Sequence, residues 1–218
     1  MPATLLLRLE GPLQSWGYRS KFKIRDSGRE PSKSGVIGLL CCALGRDRND
    51  PPTDLAKLKV HVRVDKPGKT LTDFQTAGGG SFRGRTDYYS PTSSGAKGKN
   101  PIILEKHYLM DASFLVAIEG EDGLLRALAD AVQDPAWPLS LGRRSCPPAS
   151  PVFAGFSEVD SYTALTDGAK PGSRLILEVD VAGPDSEVRN DVPLVWPDRL
   201  TRSYGSRFVR TEIVGAAS

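Results

Sequence analysis

The sequence predicts an α+β protein: a ferredoxin-like domain over residues 1–155, carrying a long β-hairpin insertion at 66–110, and a smaller β-rich region over 156–218. Three observations predict it. Segments with apolar residues at every second position alternate with two segments of helical spacing, in the order strand, helix, strand, insertion, strand, helix. The insertion is too polar and glycine-rich to build a core, yet its flanks at 71–77 and 102–110 can pair as hairpin arms. Beyond residue 159 the pattern turns to strands, with Leu175, Leu177, Val179 and Val181 alternating.

Leu5, Leu7 and Leu9 share one face of the first strand, and Gly11-Pro12 ends it, because proline cannot donate to a ladder. From Leu13 to Pro31 no period persists, which reads as a structured loop. Ser32 or Ser34 caps the helix that follows, and Gly45 closes it. In that helix Ile37, Leu40, Cys41 and Leu44 form one apolar stripe and Val36, Leu39, Cys42 and Ala43 another, so more than one side must be covered. Leu58, Val60, Val62 and Val64 alternate with Lys59, His61, Arg63 and Asp65, the pattern of a half-buried strand with His61 on its polar face. Ala112, Phe114, Val116 and Ile118 line the next strand. A helix runs from about Asp122 to Gln133 with Leu125, Leu128 and Val132 inward and Pro135 beyond its end. A fourth sheet strand is expected from 151–159 and a last one from SYGSRFVRTEIV, with GAAS as a frayed tail.

The 218 residues, 39% hydrophobic and 25% charged, are those of a globular protein, and no apolar run reaches membrane-spanning length. No signal peptide is visible and three cysteines make no disulfide framework, so a cytoplasmic location is expected. The net charge of +3 conceals an asymmetry. Residues 1–48 hold nine Lys/Arg against four Asp/Glu, a net of +5, and 69–106 hold six against three, a net of +3. Such clustering points to a local polyanion site, with a merely solvated basic surface as the alternative.

Adjacent Cys41 and Cys42 point about 100° apart on a helix and have no Cys/His partners, so core thiols are expected and no metal site. GGGSFRGR and GAKGK lack the order of a P-loop. Lys106, His107 and Tyr108 have the residue types for metal-independent cleavage of RNA through its 2′-hydroxyl, or for a plain hairpin surface. More telling is WGYRSKFKIR, where Arg19, Lys21, Lys23 and Arg25 recur at period two among rings. Cations so spaced can track a phosphate chain while Trp16, Tyr18 or Phe22 stack on bases; alternatively Trp16 and Phe22 belong to the core. Arg83, Arg85, Arg143 and Arg144, and an arginine set at 199, 202, 207 and 210, add to the nucleic-acid reading.

LLLRLEGPLQSWG, RDSGREPSKSGVIGLLCCALGRDR, YLMDASFLVAI and LGRRSCPPASPVF, in that order, resemble the CasD family, subunits of the type I-E CRISPR Cascade complex within the RAMP superfamily. The likeness fades after about Val159. The resemblance implies an RRM-like, ferredoxin-like core with a thumb hairpin at 66–110. It implies a subunit that grips and caps the 5′ handle of the crRNA, contacts the backbone and large subunits, and meets target DNA only indirectly. It implies no catalysis and no cofactor, because a separate subunit processes the guide; relatives lacking that subunit cut RNA themselves, which keeps repeat-RNA cleavage as the alternative. The expected RNA-binding residues are Gln14, Trp16, Arg19, Lys21, Lys23, Arg25, Lys33, Ser34, Arg83, Arg85, Arg143, Arg144 and Arg207. The far apolar side of the 35–45 helix, and the thumb, are the expected docking places for neighbouring subunits.

Overall fold

The computed structural model describes residues 3–18, 24–47, 49–82, 85–88, 90–91, 97–98, 101–195 and 203–215. In chain order these form β1 (Thr4–Glu10), β2 (Leu13–Gln14), β3 (Ile24–Arg25), α1 (Lys33–Ala43), a 3-10 turn (Leu55–Lys57), β4 (Lys59–Lys66) and β5 (Lys69–Ala77). Four short strands follow, β6 (Gly80–Phe82), β7 (Arg85–Tyr88), β8 (Ser90–Pro91) and β9 (Lys97–Gly98). The rest comprises β10 (Ile102–Met110), β11 (Ser113–Glu119), α2 (Asp122–Gln133), β12 (Phe153–Ser157), α3 (Ser161–Thr166), β13 (Arg174–Val179), β14 (Ser186–Val195) and β15 (Ser203–Ile213).

The main sheet has seven antiparallel strands in the order β12-β1-β11-β4-β13-β15-β14. On one face Leu5, Leu7, Leu9, Val60, Val62, Phe114, Val116 and Ile118 meet α1 and α2 in the principal core. Burial of β1 follows the alternation in the sequence, and Leu125, Leu128 and Val132 of α2 face inward as their spacing predicts. The expected fourth strand is β12, paired with β1. The C-terminal strands do not form a separate sheet: β13 pairs with the free edge of β4 and carries β15 and β14 outward. The alternation extends to Val181, but β13 stops at Val179 and the Val181 side chain is exposed.

Pairing with β13 also changes β4. A second core of Leu115, Ala117, Leu165, Leu175 and Leu177 covers the sheet's other face, with α3 upon it. His61 and Arg63 are the cross-strand neighbours of Ala117 and Leu115, and both are buried, which corrects the expected polar face. His61 Nδ1 accepts from the Glu178 amide at 3.1 Å, and Arg63 donates to the Leu165 and Asp167 carbonyls at 2.6 and 2.9 Å.

Helix α1 starts where Ser32 Oγ accepts from the Gly35 amide at 3.2 Å, and Gly45, with φ +68°, follows its C-terminal cap. Its second apolar side is not available for docking. It is largely closed within the chain, where β14, α2 and the 3-10 turn pack against α1, with Val36, Leu39 and Ala43 buried and Cys42 half-buried. The hairpin arms pair as expected, Lys69–Ala77 against Ile102–Met110, and β2 and β3 add to the other edge of β10. Among the described residues no helix is long and apolar enough to cross a membrane. The GAAS segment beyond Gly215 lies outside the described residues.

Candidate nucleic-acid interface

Three of the sequence blocks meet in space. Gln14, fully buried, donates to the Leu9 and Ala112 carbonyls at 3.1 and 2.8 Å and accepts from Trp16 Nε1 at 3.0 Å. The Trp16 ring, 0% exposed, lies under α1 so closely that a Cβ on Gly35 would stand 2.7 Å from its Cε3. The LGRRSCP turn closes on the same segment: the Ser15 amide donates to the Leu141 carbonyl at 3.0 Å, and a Cβ on Gly142 would meet the Ser15 carbonyl at 1.8 Å. The strand end, the helix start and this turn therefore fix one another.

The basic loop springs from that junction with a closed neck. Trp16 and Gly28 form a β-bridge, with the Gly28 amide on the Trp16 carbonyl at 2.5 Å and the Trp16 amide on Ser27 Oγ at 2.9 Å. Beyond the neck, β3 runs parallel to β10 with Ile24 opposite Glu105 and Arg25 opposite Lys106. Arg143 holds it there. Its guanidinium donates to the His107 carbonyl at 3.1 Å and to the Arg25 and Asp26 carbonyls at 2.6 and 3.2 Å, and lies 4.8 Å over the Tyr108 ring. The next residue, Arg144, is exposed. Arg25, also exposed, is the register neighbour of Lys106, which has Asp73 opposite it on the other side.

A second cluster locks the start of α1. The Lys33 amide donates to Asp191 Oδ2 at 2.7 Å, and Lys33 Nζ to Glu178 Oε1 at 2.6 Å. Arg207 donates to Asp191 through Nε at 2.7 Å and to Glu178 through Nη1 at 2.9 Å, and also reaches the Val60 carbonyl at 3.0 Å. Burial pulls the Lys33 ammonium down from its ordinary range against the pull of Glu178, while the Asp191 and Glu178 carboxylates outweigh burial at Arg207 and raise it. Nearby, Glu30 takes Arg174 at 3.0 Å and Arg189 at 2.8 Å, and Arg189 donates to the Tyr18 hydroxyl at 3.3 Å. Burial pushes the Tyr18 hydroxyl up to about 12.

These positions sort the expected RNA contacts. Gln14, Trp16, Lys33 (3% exposed) and Arg207 (5% exposed) are interior, filling the core or completing a bonded cluster, which for Trp16 is the core alternative; Ser34 is half-buried, its hydroxyl 3.4 Å from Ser32 Oγ. Arg143 spends its donors on backbone carbonyls. Arg25 and Arg144 are presented to solvent. Arg19, Lys21, Lys23 and Arg83, and Phe22 with them, lie outside the described residues, and Arg85 falls in β7. Lys106, His107 and Tyr108 are not brought together as a trio: Lys106 and Tyr108 share one face of β10 and His107 lies on the other. His107 Nε2 meets Glu105 Oε1 at 2.8 Å, Lys106 Nζ meets Gln75 Oε1 at 2.6 Å, and Tyr108 is buried. Among the described residues no group of His, Cys, Asp and Glu could hold a metal ion. The Glu30, Asp191 and Arg189 supports carried no local signal, because their partners are more than a hundred residues away or across the sheet.

The family model described as CRISPR-associated protein (Cas_Cas5) matches residues 4–210. The chain is 32% identical over 220 residues to the CRISPR system Cascade subunit CasD of Escherichia coli (strain K12), covering 95% of this chain and 94% of that protein. Among solved structures, a chain of a CRISPR RNA-guided surveillance complex aligns with TM-score 0.81 and 36% identity, covering 96% of this chain and 89% of that one. The crystal structure of a Cas protein aligns with TM-score 0.71 and 37% identity, covering 97% and 94%.

Proposed function

The chain belongs to the Cas5 family of CRISPR-associated proteins, and from that membership we propose that it is a non-catalytic subunit of a type I-E Cascade surveillance complex that holds the 5′ handle of the crRNA. Strands β12-β1-β11-β4 with α1 and α2 are then the ferredoxin-like, RRM-like unit of the RAMP superfamily, and the β5–β10 hairpin is its thumb; the strand order supports this reading. Partners are the crRNA handle and the backbone and large subunits, in the cytoplasm, with target DNA read by guide pairing rather than by this chain.

The observation that carries the reading is the end of the basic loop pinned along β10 by Arg143, which aligns the exposed Arg25 with Lys106; Arg144, next in the chain to that pin, is exposed as well. Phosphates seated there supply affinity and salt dependence without reading sequence. Replacing Arg25 and Arg144 with alanine lowers the salt slope of RNA binding by about 0.7 per lost phosphate contact on a single strand. Measuring affinity for a repeat-derived RNA across salt concentrations checks it, and an unchanged slope in the double variant sinks the proposal.

A further inference from the structure

Lys106 and Arg25 occupy one face of the hairpin sheet; the other face leads into a groove. Thr70 and Leu109, paired across the hairpin, line this groove of about 720 Å³ together with the turn that ends at Arg174. Its apolar lining includes the buried Val64 and Leu109 and the exposed Ile213. Its rim is cationic, with Arg29, Lys170 and Arg174. Arg174 is anchored by Glu30, while Arg29 and Lys170 are exposed and make no ion pair among the described residues. The carboxylate that also lines the groove, Asp65, is already matched by Arg8 at 2.5 Å and Arg63 at 2.6 Å, so the rim's charge is not cancelled.

The hairpin continues this face. Four residues beyond Thr70, about 13 Å along the strand, stands Phe74, 66% exposed. Register places Phe74, Glu105 and Ile24 in one row across three strands, with Ile103, diagonal to Phe74, on the same face; Ile24 is 53% and Ile103 48% exposed. Glu105 is tied to His107 at 2.8 Å. A cationic rim, an apolar lining and an exposed ring on one continuous face have the composition of a single-strand binding track, in which phosphates take the charge and bases take the apolar surface.

We propose that this groove and the hairpin face above it form a second seat for single-stranded RNA, with phosphate on Arg29, Lys170 and Arg174, a base over Val64, Leu109 and Ile213, and a further base stacked on Phe74. The seat lies on the opposite side of the hairpin from Arg25 and Lys106, so a strand using both surfaces passes around the hairpin. This inference rests on the RNA-binding reading above.

The test uses the full-length chain and a repeat-derived single-stranded RNA, followed by fluorescence anisotropy at several salt concentrations. Replacing Arg29 and Lys170 together with alanine is expected to lower the salt slope by about 1.4, and Phe74→Ala to weaken binding roughly five- to a hundred-fold with the slope unchanged. Both alanine positions are exposed, so folding is retained, which circular dichroism verifies. If these variants bind as the parent does while Arg144→Ala still lowers the slope, the second seat is overturned and the handle reading stands. If the parent shows no salt-sensitive RNA binding, the handle reading falls and the second seat with it. A Phe74→Ala chain that binds RNA normally but no longer enters the assembled complex overturns the seat in favour of a protein-facing hairpin.

Discussion

Arg143 and Arg144 are adjacent, identical in chemistry, and different in role. Arg143 uses a planar fork to span three carbonyls from two segments while its flat face covers Tyr108, which is a task for guanidinium geometry rather than for charge. Lysine in its place keeps the charge and loses the fork. Arg143→Lys is therefore expected to release the 17–27 loop, seen as faster proteolysis within it, and to weaken RNA binding severalfold at an unchanged salt slope. A slope lowered by about 0.7 would instead mean that Arg143 touches phosphate. From sequence the pair reads as two phosphate ligands, because nothing local tells a cation that faces solvent from one that caps distant carbonyls. The same limit applies to Arg207 and Lys33, whose acidic partners Asp191 and Glu178 come from β14 and β13 respectively.

At the scale of elements, the two ends of the basic loop are fixed by what flanks them. Trp16 bridges to Gly28, closing the neck, and its ring is clamped beneath Gly35 of α1. A larger residue at Gly35 must displace either the ring or the helix. Gly35→Val is expected to destabilise the protein by about 2–3 kcal/mol through overpacking, well beyond the few tenths that helix propensity returns. Urea denaturation measures this, and a stability equal to the parent's would show that α1 can slide over Trp16. The elements themselves were largely legible: β1, α1, β11, α2 and the hairpin arms follow directly from apolar spacing, a serine cap and glycine and proline breaks. What spacing could not show for α1 was the occupant of its second apolar side. Several distant segments of the same chain pack against α1, among them α2, the 3-10 turn and β14, a strand about 150 residues further on, while Ala136 to Pro138 meet Ala43 and Cys42, so the helix face that looked available for other subunits is largely filled.

For the molecule as a whole, the seven-stranded sheet joins the N-terminal and C-terminal regions through the β4–β13 pairing, and the Lys33–Glu178–Arg207–Asp191 cluster ties α1 to the C-terminal strands. β15 sits between β13 and β14, so a chain ending at residue 202 loses an interior strand and leaves Asp191 and Glu178 without Arg207. Such removal of one partner from a buried ion cluster alone costs about 3–5 kcal/mol. The truncated chain is expected not to fold cooperatively, which loss of a sigmoidal thermal transition by circular dichroism would show.

By itself the sequence determined the α+β class, the order of the principal strands and helices, the long hairpin, and the concentration of positive charge between β1 and α1. Each of these is written in near neighbours, as periodicity, caps, breaks and local charge. Only the tertiary structure decided that β4 is buried on both faces, that α1 has no spare apolar side, and that Arg143 works inward while Arg144 faces out. It also placed Arg29, Lys170 and Arg174 around one groove. Those outcomes depend on pairs of segments far apart in the chain, and burial of a cation is settled by whether a distant carboxylate or carbonyl arrives to meet it.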